Sequence, residues 1–135
     1  VTGLVVDASV AIKWVIEEEG TSAALALRGQ KLAAPDLINA ECANILWKKA
    51  RLGELSADEA AFAARLLASG DIEMIQTRDL AEAAVLIAIE LDHPAYDCLY
   101  LAVAERLDTE LVTADNKLLR KAGATDRFRR LVRGL

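Results

Sequence analysis

Histidine and cysteine are scarce in these 135 residues: one His, at position 93, and two Cys, at 42 and 98. The cysteines sit in unrelated segments without CxxC spacing. They read as small core residues in a reducing compartment, the cytoplasm. His93 precedes Pro94 and reads as a loop residue, not a general base. There is no Ser-His-Asp set and no glycine-rich phosphate loop, so acyl transfer and P-loop chemistry lack support. Apolar runs are broken by charge well short of the ~18 residues that a membrane span needs, which argues against a membrane partner. The opening segment carries no signal-peptide pattern. With no repeats, linkers or low-complexity stretches, residues 1–135 read as one domain.

What is abundant is apolar. The hydrophobic fraction is 54% and mean hydropathy is +0.24. This is high for a small domain, and implies apolar surface buried against a partner or a second copy. Net charge is −5, but unevenly spread. Residues 116–135 hold seven basic residues and one acid, for +6, and residues 1–115 hold nine basic and twenty acidic, for −11. A basic end on an acidic protein is expected to be either a solvated surface or a substrate groove for a phosphate backbone.

Strand-like runs alternate with helical patterns. Strands are expected at 3–7 ("GLVVD"), 31–35 ("KLAAP"), 72–76 ("IEMIQ"), 110–113 ("ELVT") and 128–132 ("FRRLV"). Helices are expected at 9–19, 21–30, from Asp36 to about Leu52 with Gly53 as the stop, from a Ser56/Glu59 capping box to about Ala68, from an Asp79/Glu82 box to about Leu91, from 95 to 107, and from about Asp115. The pattern is that of an α/β domain with a mainly parallel sheet. The 79–91 helix is apolar around most of its circumference and is expected to be covered on more than one side. Trp14 reads as core, and Trp47 and Phe62 as core or dimer interface.

In such a sheet every strand ends at one edge, where the following helix begins. Asp7 ends the first strand and Asp115 follows the 110–113 strand. Asp97 lies in the first turn of the 95–107 helix. Glu41 lies about five residues into its helix, ~7 Å from the start, and its longer side chain can reach back. Each acid alone has a plain use as a cap, a dipole partner or a surface group. Together they converge on one rim. Four carboxylates cannot remain ionised together without a cation. Oxygen-only ligands favour Mg²⁺ or Mn²⁺, and such a site suits in-line displacement at a phosphodiester. Asn116 is a candidate to hold a water there, or a helix-start residue. Lys48, on the Glu41 face of its helix, is a candidate to meet a substrate phosphate or a solvated lysine, and Lys13 to snorkel or to sit near the pocket.

"VVDASVAIKW", "PDLINAECANILWK", "YDCLYLAVAERL" and "LVTAD" occur in the order and spacing of PIN-domain ribonucleases. The sequence most resembles the VapC-like toxins of toxin–antitoxin systems, over nearly its whole length. The resemblance implies a PIN-like fold, with a mainly parallel sheet of about five strands flanked by helices. It implies Mg²⁺- or Mn²⁺-dependent cleavage of RNA, with catalytic and metal-ligating positions at Asp7, Glu41, Asp97 and Asp115. Ser9 and Thr113 match hydroxyl positions expected to hydrogen-bond the carboxylates. A homodimer and a small antitoxin that blocks the site are also implied. Two other readings start from the same strand ends. A phosphoacceptor receiver module wants its middle acid at a strand end and a pair of acids after the first strand. A dehalogenase-type phosphatase wants D-x-D, where this sequence has Asp7 and Ser9.

Overall fold

Parallel strands cannot be joined by tight turns, so each must be followed by a helical crossover. The computed structural model describes residues 3–135 and follows this rule throughout. The strands are β1 (Leu4–Val6), β2 (Leu32–Pro35), β3 (Ile72–Ile75), β4 (Glu110–Thr113) and β5 (Val132–Gly134). They form one all-parallel sheet in the order β3-β2-β1-β4-β5. Between β1 and β2 lie α1 (Ala8–Ala11) and α2 (Thr21–Ala26); between β2 and β3, α3 (Leu37–Arg51) and α4 (Ala57–Ala68). Next come α5 (Ala81–Leu91) and α6 (Ala95–Leu107) before β4, then α7 (Asn116–Gly123) and α8 (Asp126–Arg129) before β5.

The central strands are buried, and β1 (LVV) and β2 (LAAP) are correspondingly apolar throughout. All three residues of β1 are buried, and Val5 and Val6 are fully so. Helix α6 packs across β1, β2 and β4. It contributes Tyr100, Leu101 and Val103 to the core, while α7 and α8 contribute Leu118 and Phe128. Cys42 and Cys98 are buried free thiols within this core. Burial pushes the Cys42 thiol up to about 12 and that of Cys98 to about 11, so both remain protonated. Among the described residues no helix is long and apolar enough to cross a membrane.

Several local expectations are borne out. Ser56 and Glu59 form a reciprocal capping box at the start of α4, and Gly53 takes φ +78 just beyond α3. Others are corrected. The expected 9–19 helix is only α1 and a 3-10 turn over Ile12–Trp14. Glu18 then leaves the helical path and bridges Lys13 at 3.0 Å and Lys49 at 3.3 Å. Asp79 does not cap α5: it ends a 3-10 turn, and Leu80 takes the cap position without a side-chain bond. The last strand begins at Val132, because Thr125 accepts the Phe128 N–H and winds 126–129 into α8. Trp47 and Phe62 are not core; they stand more than half exposed, each under an arginine of its own helix. The described residues cover one side of α5: Ala84, Ile87 and Leu91 are buried, while Ile89 is 73% exposed.

Candidate active site

The strand order changes direction at β1. The chain first builds outward through β2 and β3, then returns to add β4 and β5 on the other side. Open α/β sheets bind ligands at such a switch point, beyond the carboxyl ends of the strands. Here that point lies between β1 and β4, and Asp7 and Asp115 emerge from these two neighbours. A cleft of about 410 Å³ opens there, and Asp7, Glu41, Asp97 and Asp115 all line it. None of the described residues lining it is Lys, Arg or His.

Asp7 is the buried member, 6% exposed. Ser9 Oγ donates to its Oδ1 at 2.5 Å and Thr113 Oγ1 donates to its Oδ2. Ser9 Oγ in turn accepts the Ala114 N–H at 2.9 Å, and Thr113 Oγ1 accepts the Asp115 N–H at 3.0 Å. These bonds stitch the end of β1 to the end of β4. Burial pushes the Asp7 carboxyl up to about 6; Ser9, Thr113 and the Val10 N–H hold it down, and the nearby Asp97 charge raises it. Glu41, on α3, is also raised, first by burial and then by Asp97, against the Tyr100 hydrogen bond. Asp115 has two uses. Its Oδ1 accepts the Lys117 and Leu118 N–H groups and caps α7, while the residue also lines the cleft.

A family model for the PIN domain matches residues 4–124. The chain belongs to the PIN domain family. Ribonuclease VapC3 of Pyrobaculum aerophilum is 37% identical over 123 residues, covering 87% of this PIN domain and 93% of that protein. The crystal structure of PAE2754, also from Pyrobaculum aerophilum, matches with TM-score 0.70 at 30% identity, covering 89% of this chain and 79% of that one. A toxin–antitoxin complex from Klebsiella pneumoniae matches with TM-score 0.57 at 18% identity, over 84% of this chain and 88% of that one; at that identity it speaks for the fold alone.

Among the described residues of this PIN domain, no three His, Cys, Asp or Glu side chains are already grouped to hold a metal ion. The donor set still fits a hard divalent cation. It is oxygen-only, partly buried, and without a basic residue in the cleft to balance it. Mg²⁺ is commonly held by one or two carboxylates, with water and phosphate oxygens completing the shell, so a closed protein cage is not required. The receiver arrangement is not present, because the middle acid Glu41 lies within α3 and not at a strand end.

The remaining candidates fall elsewhere. Asn116 is the exposed first residue of α7 and lines an adjoining cleft of about 340 Å³, together with Lys13. Lys13 Nζ donates to Glu18 Oε1 at 3.0 Å and to the Glu19 carbonyl at 2.7 Å. Lys48 is exposed and does not line the acidic cleft. Two residues escaped sequence reasoning. Tyr100 is fully buried and its hydroxyl donates to Glu41 Oε1 at 2.5 Å. Burial, then the Glu41 bond and charge, hold that phenol protonated well above its ordinary range. His93 is buried, not in an open loop, with Nε2 2.6 Å from Asp97 Oδ2. Tyr100 lies one turn beyond Asp97 on α6, whereas His93 precedes the helix, four residues before Asp97.

Proposed function

We propose that this PIN domain is a divalent-metal-dependent endoribonuclease, the toxin of a toxin–antitoxin pair, acting in the cytoplasm with residues 1–135 as one nuclease unit. The observation that carries the reading is the set of four carboxylates lining a cleft with no basic residue. Asp7 and Asp97 are the first ligands, and Glu41 and Asp115 complete the acidic shell. Mg²⁺ or Mn²⁺ bound there supplies charge neutralisation for the phosphodiester and acidifies the attacking water. Ser9 and Thr113 hold Asp7 with both oxygens fixed, and Tyr100 fixes Glu41. The ribonuclease VapC3 relative supports RNA as substrate.

The Klebsiella pneumoniae neighbour, a toxin–antitoxin complex, suggests an antitoxin partner. The exposed apolar side chains on α3 and α4, including Trp47, Phe62 and Leu66, offer a surface of matching chemistry. The exposed face of α5 (Val85, Leu86, Ile89) suits a homodimer contact.

The test is cleavage of a mixed structured RNA pool by purified protein free of antitoxin, with Mg²⁺, with Mn²⁺ and with EDTA. Cleavage that requires the ion and falls more than ~100-fold in Asp7→Asn is expected. Cleavage that persists in EDTA, or undiminished in Asp7→Asn, would overturn the proposal.

A further inference from the structure

Asp7 and Glu41 each have hydroxyl partners, but among the described residues Asp97 has none. Its one side-chain hydrogen bond among the described residues is to His93 Nε2, at 2.6 Å from Oδ2. Asp97 is 28% exposed at its side chain, while the His93 side chain is 3% exposed. A buried ring therefore grips a partly open carboxylate. Among the described residues the ring's other nitrogen, Nδ1, is buried with no hydrogen-bond partner, so the ring's one directional contact there is to Asp97.

The backbone around His93 is as constrained as the ring. Asp92 ends α5 in the left-handed region, at φ +52. The His93 N–H donates to the Ala88 carbonyl of α5 at 3.2 Å, and Pro94, with φ −54, opens α6. The Cys98 thiol of α6 lies 3.9 Å from the His93 carbonyl oxygen. The turn between two packed helices thus fixes the imidazole before Asp97 needs it. With Oδ2 engaged, Oδ1 has no hydrogen-bond partner among the described residues, on a side chain that lines the cleft.

We propose that His93 is a positioning residue for Asp97: its imidazole holds one carboxylate oxygen so that the other is presented to a divalent cation. The assignment rests on the reading of the acidic cleft as a cation site. It adds a residue outside the four acids, one that touches neither the cation nor RNA. Partners that orient a metal-ligating group typically change metal affinity 10–100-fold when removed.

The experiment compares wild type, His93→Phe, His93→Gln and Asp97→Asn by calorimetric titration with Mn²⁺, with folding checked by circular dichroism. Phenylalanine fills the ring's space without a donor, whereas glutamine keeps an N–H near the Nε2 position. His93→Phe is expected to bind Mn²⁺ ~10–100-fold more weakly, and His93→Gln to recover most of the loss. RNA cleavage by His93→Phe should lose kcat more than KM. A folded His93→Phe with unchanged Mn²⁺ affinity overturns the assignment, as does a His93→Gln as weak as His93→Phe. If Asp97→Asn also binds Mn²⁺ like wild type, the cation reading of the cleft has failed at its root. If only His93→Phe does, the positioning role alone is wrong.

Should His93→Phe not fold, the wild-type protein supplies the test. His93 is the single histidine, so untagged protein labelled with ¹⁵N-histidine gives one imidazole spectrum. A slowly exchanging Nε2 proton, shifting with added Mg²⁺ at constant pH, is expected. Ring signals unmoved by saturating Mg²⁺ overturn the proposal.

Discussion

At the scale of single residues, Asp7 is the one buried carboxylate of the four in the cleft, and burial has a cost. Burial lifts its carboxyl from 3.8 to about 6, even with Ser9 and Thr113 donating to it. The folded chain therefore keeps the proton to a higher pH than the unfolded chain. The stability linked to this group is fully present below about pH 4 and is lost as pH rises through about 6. The loss is on the order of 3 kcal/mol, at ~1.4 kcal/mol per pKa unit. Glu41, raised mainly by burial, adds to the same trend. In EDTA, urea unfolding of wild type should show a fall in stability between pH 4 and 7 that Asp7→Asn largely removes. Parallel pH profiles for the two proteins would contradict the buried-acid assignment. Under the proposed reading the same cost gives the residue its use, because a divalent cation bound beside Asp7 would offset it.

At the scale of elements, the start of α7 joins folding to the site. Asp115 caps two N–H groups of the helix and also lines the cleft. The two roles can be separated. Asn is as good a cap as Asp, so Asp115→Asn should unfold like wild type but cleave RNA more slowly, while Asp115→Ala should also lose about 1 kcal/mol of stability. Chemical denaturation beside a cleavage assay reads both. Equal loss of stability in the two variants would show that the cap is not what Asp115 contributes.

The elements were legible in the sequence where local chemistry decides them. Ser56 and Glu59 needed only each other, and the short apolar runs before Asp7 and Asp115 read as strands, as they are. They were illegible where packing decides. Asp79 has the spacing of a cap, but α5 starts two residues later, at Ala81. Phe128 looks like a strand residue, but it is a fully buried helical one beneath Thr125. For the site, the alternation of strands and helices was enough to bring four acids to one edge. Tyr100 reaches Glu41 across 59 residues of sequence, and no local pattern announces such a bond. His93 looked like a loop residue because Pro94 follows it. Its burial depends on how α5 packs on α6.

At the scale of the whole molecule, the +6 of residues 116–135 is only partly free. Arg127 is clamped between Glu90 and Glu105 at 2.7 Å each, tying α8 to α5 and α6. Arg129 pairs with Asp126 and Arg133 with Glu110. Lys117 and Arg120 are exposed on α7, whose first turn adjoins the acidic cleft. Reversing Lys117 and Arg120 to Glu should therefore weaken RNA binding more than reversing Arg129 and Arg130. The salt dependence should also flatten, by about one unit of slope for each phosphate no longer neutralised. Equal effects of the two double reversals, read by filter binding at several salt concentrations, would place the groove elsewhere. Beneath all of this lies the cation, since a cleft that binds no divalent ion cannot run the proposed chemistry. Mn²⁺ titrated calorimetrically into wild type and Asp7→Asn is the most direct test. A saturable site in wild type that is lost in Asp7→Asn is predicted; no binding to wild type, or equal binding to both, would contradict it.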